Sequence, residues 1–156
     1  MKPILYIDVD GVLLVHGGTL SKDGRPQLRP YSKEFLEYAT EHFECRWLTG
    51  WHYNYEWSRI EELYEVYLNP AGIDRRTFSK IIPHDWSFIS DLLLDKLNSF
   101  SLDEDSYVID DLLWQHRVPP TFRHRFIKIH PTRPNELKRI VKILKRIVDA
   151  KRFDAQ

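Results

Sequence analysis

The sequence predicts an α/β protein: one domain, residues 1–156, folded as a three-layer sandwich around a central, mainly parallel five-stranded sheet. Two observations carry this. Short apolar runs alternate with stretches of helical period along the chain, the pattern of a parallel sheet with helices on its faces. The first run, Ile4-Leu5-Tyr6-Ile7, is apolar throughout, as a strand covered on both faces must be. A length of 156 residues fits a single domain.

The elements follow in order. Leu13 to Pro26 holds Gly17, Gly18 and the turn-forming Lys22-Asp23-Gly24, and reads as a loop or small hairpin over the end of the first strand. Pro30 to His42 reads as a helix capped by Ser32, with Phe35, Leu36 and Ala39 on one face. Phe43 to Leu48 is a second strand, in which Cys45 serves as a small buried apolar residue. Trp51 to Leu68 is helical, with Trp57, Ile60, Leu63, Tyr64 and Tyr67 at spacings of three and four. Asn69-Pro70-Ala71-Gly72 ends it. Thr77 to Ile82 is expected as a short third strand and Trp86 to Phe100 as a helix. Tyr107 to Ile109 and Phe126 to Ile129 are the fourth and fifth strands. The last helix, Asn135 to about Lys151, is expected to turn Leu137, Ile140, Val141, Leu144, Ile147 and Val148 inward and Lys138, Arg139, Lys142, Lys145 and Arg146 outward.

Lys+Arg and Asp+Glu both number 23, so the net charge is zero. That excludes a generally basic nucleic-acid coat and an acidic solvating tail. The distribution is uneven. Residues 117–156 hold 12 basic and 3 acidic side chains, net +9, leaving 11 and 20, net −9, in residues 1–116. A basic C-terminal helix with a solvated outer face accounts for this. The sharper reading is a basic surface beside a site for an anionic substrate. The single cysteine allows no intrachain disulfide and suits a reducing compartment. Asp8 interrupts the first apolar run, and no run approaches a membrane span. The expected location is cytoplasmic, with no membrane partner.

Three of the strands end in polar residues: Asp8-Val9-Asp10-Gly11, Thr49-Gly50 and Asp110-Asp111. In a parallel sheet those ends share one edge, where ligands bind. Four carboxylates and a hydroxyl are thereby expected near one another. Carboxylates that close repel, so a cation or a shared proton is required. Oxygen-only ligands suit a hard cation, and Mg²⁺, which needs few protein ligands, fits best.

These residues resemble the motifs of the haloacid dehalogenase (HAD) superfamily of phosphatases and phosphotransferases. The first motif is Ile7-Asp8-Val9-Asp10-Gly11-Val12-Leu13, the second Trp47-Leu48-Thr49-Gly50, and the fourth Val108-Ile109-Asp110-Asp111. The third, a lysine, is Lys96, with Lys80 as its rival. The resemblance covers roughly residues 1 to 148 and implies a Rossmann-like, HAD-like fold. The stretch between the first two motifs leaves room only for a small flap, with no large cap. The first two motifs are also similar to compact HAD-like domains of bacteria and phages, some associated with RNA-repair proteins. Leu28-Arg29-Pro30 with Glu34-Phe35-Leu36 is similar to HAD phosphatases that act on protein tails.

The resemblance implies a Mg²⁺-dependent phosphatase working through a phosphoaspartate. Asp8 is the expected nucleophile and Asp10 the acid and base. Thr49 would bind a phosphoryl oxygen, and Lys96 would neutralise the phosphate. Asp8, Asp10 (through its backbone carbonyl), Asp110 and Asp111 are the expected metal ligands. Gly11, Gly50, Trp51 and His52 are expected to meet the substrate, Trp51 by stacking a base or by packing at a helix start. His16 reads as a solvent-exposed loop histidine. The expected substrate is a phosphomonoester, a small molecule or a nucleic-acid end. A phosphotransferase using the same intermediate and a non-catalytic binding or regulatory module are the alternatives.

Overall fold

The computed structural model describes residues 1–16, 24–49, 58–84, 99, 105–111 and 118–155. In chain order the strands are β1 (Ile4–Ile7), β2 (Leu14–Val15), β3 (Gln27–Leu28), β4 (Glu44–Trp47), β5 (Ile82–Pro83), β6 (Ser106–Asp110) and β7 (Phe126–Lys128). The helices are α1 (Ser32–His42), α2 (Ser58–Leu63), α3 (Arg75–Ser79) and α4 (Glu136–Asp154), with a π turn at Tyr64–Leu68 and a 3-10 turn at Pro120–Arg125.

Five strands form one sheet in the order β5-β4-β1-β6-β7, and every pairing is parallel. The fold is α/β and compatible with a Rossmann-like arrangement. The apolar β1 takes the centre, where both flanks are paired and both faces covered; Leu5, Tyr6 and Ile7 are buried. The edges are short. β5 contains Pro83, which an edge strand tolerates because one side needs no ladder donor. β7 ends in exposed Lys128, a charge that discourages further strand pairing. Against this sheet the core gathers Phe35, Leu36 and Ala39 of α1 with Leu137, Ile140 and Leu144 of α4. The two helices also pack on each other.

The expected hairpin after β1 is present as β2 paired antiparallel with β3, Leu14 opposite Leu28 and Val15 opposite Gln27; its tip lies outside the described residues. Among the described residues from 8 to 49 stand only this hairpin, α1 and β4.

Two expectations change. Ser32 is the first residue of α1, not its cap: Tyr31 precedes it with φ 67°, and the Ser32 hydroxyl donates back to the Arg29 carbonyl at 2.7 Å. Thr77 to Ile82 is not one strand. Asp74 accepts from the Thr77 N–H at 2.7 Å and caps α3, which turns Thr77 and Phe78 inward. Only Ile82–Pro83 remains as strand. The helix after residue 57 ends in the π turn, where the Asn69 N–H reaches the Tyr64 carbonyl at 2.8 Å. Of the helix expected over residues 86–100, residue 99 alone is described, and it stands in a turn. No described helix is long and apolar enough to cross a membrane.

Candidate active site

β1 ends at Ile7, and the chain turns at once. The Val9 carbonyl accepts from the N–H groups of Val12, Leu13 and Leu14 at 2.9 to 3.2 Å, while Gly11 N–H donates to Leu14 O at 2.7 Å. Gly11 takes φ +78°, open to glycine at little cost. The turn leaves Asp8 buried at the strand end, 7% exposed, with its Oδ1 accepting from the Val9 N–H at 2.8 Å. On the neighbouring strand, Asp110 is 5% exposed and Asp111 half-buried. Carboxylate oxygens of Asp8, Asp110 and Asp111 lie within 4.8 Å of one another. Such proximity is stable only with charge compensation, and an all-oxygen set of this size suits Mg²⁺ completed by water.

Asp10 departs from the expected quartet of carboxylates. Alternation of side chains holds only within a strand, and residue 10 is already in the turn. Its side chain is about half exposed, and its Oδ1 meets His16 Nε2 at 2.9 Å. The carboxylate therefore stands outside the three-aspartate cluster.

Thr49 is fully buried just beyond β4. Leu48 N–H donates to Ile7 O at 2.9 Å, which sets the Thr49 segment beside Asp8. Lys80 lies elsewhere. It lines a cleft with Lys2, Phe43 and Glu44, where β1 and β4 begin, at the sheet edge opposite the carboxylates. Lys80 is thereby removed as the phosphate-binding lysine. Lys96, Gly50, Trp51 and His52 lie outside the described residues.

Two residues near the site were not assigned a part by sequence reasoning. One is His16, read as a loop histidine; its signal was the short Asp10–His16 spacing across a glycine turn. The other is Arg29, 1% exposed. Its Nε donates to Val12 O at 2.8 Å and its Nη2 to Gly11 O at 2.8 Å and Pro131 O at 2.9 Å. Its Nη1 donates to Arg133 O. One guanidinium thus ties the turn after Asp8 to the loop before α4. Burial lowers the Arg29 pKa, and the negative charges of Glu136 and Asp111 oppose that shift. The leucine, arginine and proline at 28–30 were the visible trace of this residue.

Glu136 anchors the other side of that loop. Its carboxylate accepts from His130 N–H at 2.8 Å and from Arg139 at 2.7 and 3.1 Å. Burial pushes its pKa up, but the Arg139 and His130 hydrogen bonds and the Arg139 and Arg133 charges outweigh it, so the net shift is downward.

No protein-family model and no curated protein matches this chain.

Proposed function

We propose that the protein is a Mg²⁺-dependent phosphatase of the HAD type that hydrolyses a phosphomonoester through an aspartyl phosphate. The observation that carries the reading is the division of four aspartates into two environments. Asp8, Asp110 and Asp111 converge, and Asp10 stands apart on His16. A reaction of this kind needs both: carboxylates that stay ionised around a cation, and one carboxyl that exchanges a proton.

Asp8, Asp110 and Asp111 would hold the cation, which supplies charge neutralisation between Asp8 and a dianionic phosphate. Asp8 uses one carboxylate oxygen to attack phosphorus. The bond from phosphorus to the leaving oxygen breaks, and that oxygen takes the proton of Asp10. Asp10, now ionised, takes a proton from water. The water oxygen bonds to phosphorus, the Asp8–phosphorus linkage breaks, and free carboxylate and phosphate result. Thr49 and the N–H groups after β1 would bind phosphoryl oxygens, and Lys96 would add a positive charge. The finer fold assignment, a HAD-like three-layer sandwich with a small flap and no large cap, goes with this reading.

The test is hydrolysis of p-nitrophenyl phosphate and of a panel of phosphometabolites and phosphorylated oligonucleotide ends, with Mg²⁺ and with chelator, for the wild type and Asp8→Asn. Turnover that needs both Mg²⁺ and Asp8 supports the reading. Phosphate appearing on an acceptor alcohol rather than in solution would instead identify a phosphotransferase. Mg²⁺ binding without turnover of any substrate would favour a binding module.

A further inference from the structure

His16 follows β2 directly, and the backbone that carries it is firmly held. Leu14 and Val15 are buried, both pair with β3, and the Arg29 N–H donates to Leu13 O at 2.7 Å. Asp10 is bridged to Leu14 in the same turn. The imidazole therefore swings from a fixed root, and its Nε2 reaches Asp10 Oδ1 at 2.9 Å. An ionised carboxylate only accepts hydrogen bonds, so against it Nε2 is the donor. That contact holds one oxygen of the carboxyl group and so limits its rotation.

We propose that His16 is the positioning residue of Asp10, the side chain that orients its carboxyl group. The proposal rests on the phosphatase reading above and adds to it a residue on the flap. Its contribution lies in orientation, so a neutral donor of similar reach replaces it. A general acid out of line loses part of its effect on the barrier, and the loss is greatest where the leaving oxygen most needs a proton. An alkyl phosphate depends on that proton; p-nitrophenyl phosphate, whose leaving group is stable as an anion, depends on it far less.

The experiment compares the full-length wild type, His16→Ala, His16→Gln, Asp10→Asn and the His16→Ala/Asp10→Asn pair. It measures kcat/KM, which reports phosphoryl transfer to Asp8, for an alkyl phosphate and for p-nitrophenyl phosphate. His16→Ala is expected to lose at least about tenfold more on the alkyl substrate than on the aryl one, with Gln restoring most of the loss. Adding His16→Ala to Asp10→Asn is expected to cost less than about twofold, because the two act as a unit. Equal losses on both substrates, or a Gln variant no better than Ala, overturn the proposal while leaving the phosphatase reading standing. A wild type without Asp8-dependent turnover overturns both.

Discussion

A methyl group placed on Gly11 would lie 2.1 Å from Asp111 Oδ2 and 2.3 Å from its Cγ. The Asp111 carboxylate is seated directly on the bare Cα of the turn after Asp8. The two halves of the acidic cluster, one from the end of β1 and one from the end of β6, thus meet across a space that admits no side chain.

Gly11→Ala is therefore expected to act twice. Its positive φ costs at least about 1 kcal/mol, roughly 2–4 °C in Tm, and the methyl displaces Asp111. Gly24 supplies the control: it has φ +68° but nothing within 4 Å of a built Cβ. Gly24→Ala should show the strain alone and keep Mg²⁺ affinity, whereas Gly11→Ala should weaken it at least about tenfold. Calorimetric titration with Mg²⁺ and thermal melts check both.

Removing one charge from the cluster should stabilise the metal-free protein. Asp8→Asn keeps an oxygen for the Val9 N–H while deleting repulsion among three carboxylates. A rise of about 1 kcal/mol without Mg²⁺ is expected, together with loss of the Mg²⁺-induced rise in Tm expected for the wild type. Melts with and without Mg²⁺ decide the matter; a destabilised metal-free variant would contradict it.

Arg29→Met leaves four backbone carbonyls without their buried donor, those of Gly11, Val12, Pro131 and Arg133. A loss of about 3 kcal/mol or more is expected in urea denaturation. Arg29→Lys should recover only a minor part, because a single ammonium cannot reproduce the planar fork that reaches both loops.

Glu136 sets an acid limb of stability. Its pKa is lowered by folding from an ordinary value of 4.5, so its contribution is present above that pH and is lost as pH falls through the lower folded value. Stability of the wild type should drop below pH 4.5 more steeply than that of Glu136→Gln. Denaturation midpoints from pH 6 down to about pH 3 read the difference.

Cys45 is buried on β4, and desolvation pushes its thiol pKa up to about 12. It should resist alkylation by iodoacetamide in the folded protein and react fully in denaturant, because the thiolate is the reacting form. Mass spectrometry of quenched samples gives the rates.

The parts of the fold that were legible in the sequence are those where one physical signal dominates. Ile4–Ile7 and Tyr107–Ile109 were legible as strands because the middle of a buried parallel strand is a continuous apolar run; the structure extends the second to Ser106–Asp110. Asp8, Asp110 and Asp111 could be brought together in advance because parallel strands align their ends. Thr77 to Ile82 misled because Thr77, Ile81 and Ile82 favour strands, while the cap from Asp74 decided for a helix. The Asp10 carboxylate was expected beside the other three because alternation was carried past the end of β1 at Ile7 and into the turn. The His16 contact depends on how a hairpin closes, and the Arg29 strap joins positions about a hundred residues apart; neither leaves a periodic trace.

Arg29 binds Pro131 and Arg133 across sequence separations of 102 and 104 residues. Until the chain beyond residue 130 has docked, the turn after Asp8 lacks those two anchors of its buried cation, whatever β1 and β6 have already formed. Contacts of such range close late in folding, because their loop entropy must be overcome first. Competence to gather a cation is thus among the last properties the chain acquires. A nascent chain halted before residue 131 should carry all of its aspartates at the site and still bind Mg²⁺ poorly.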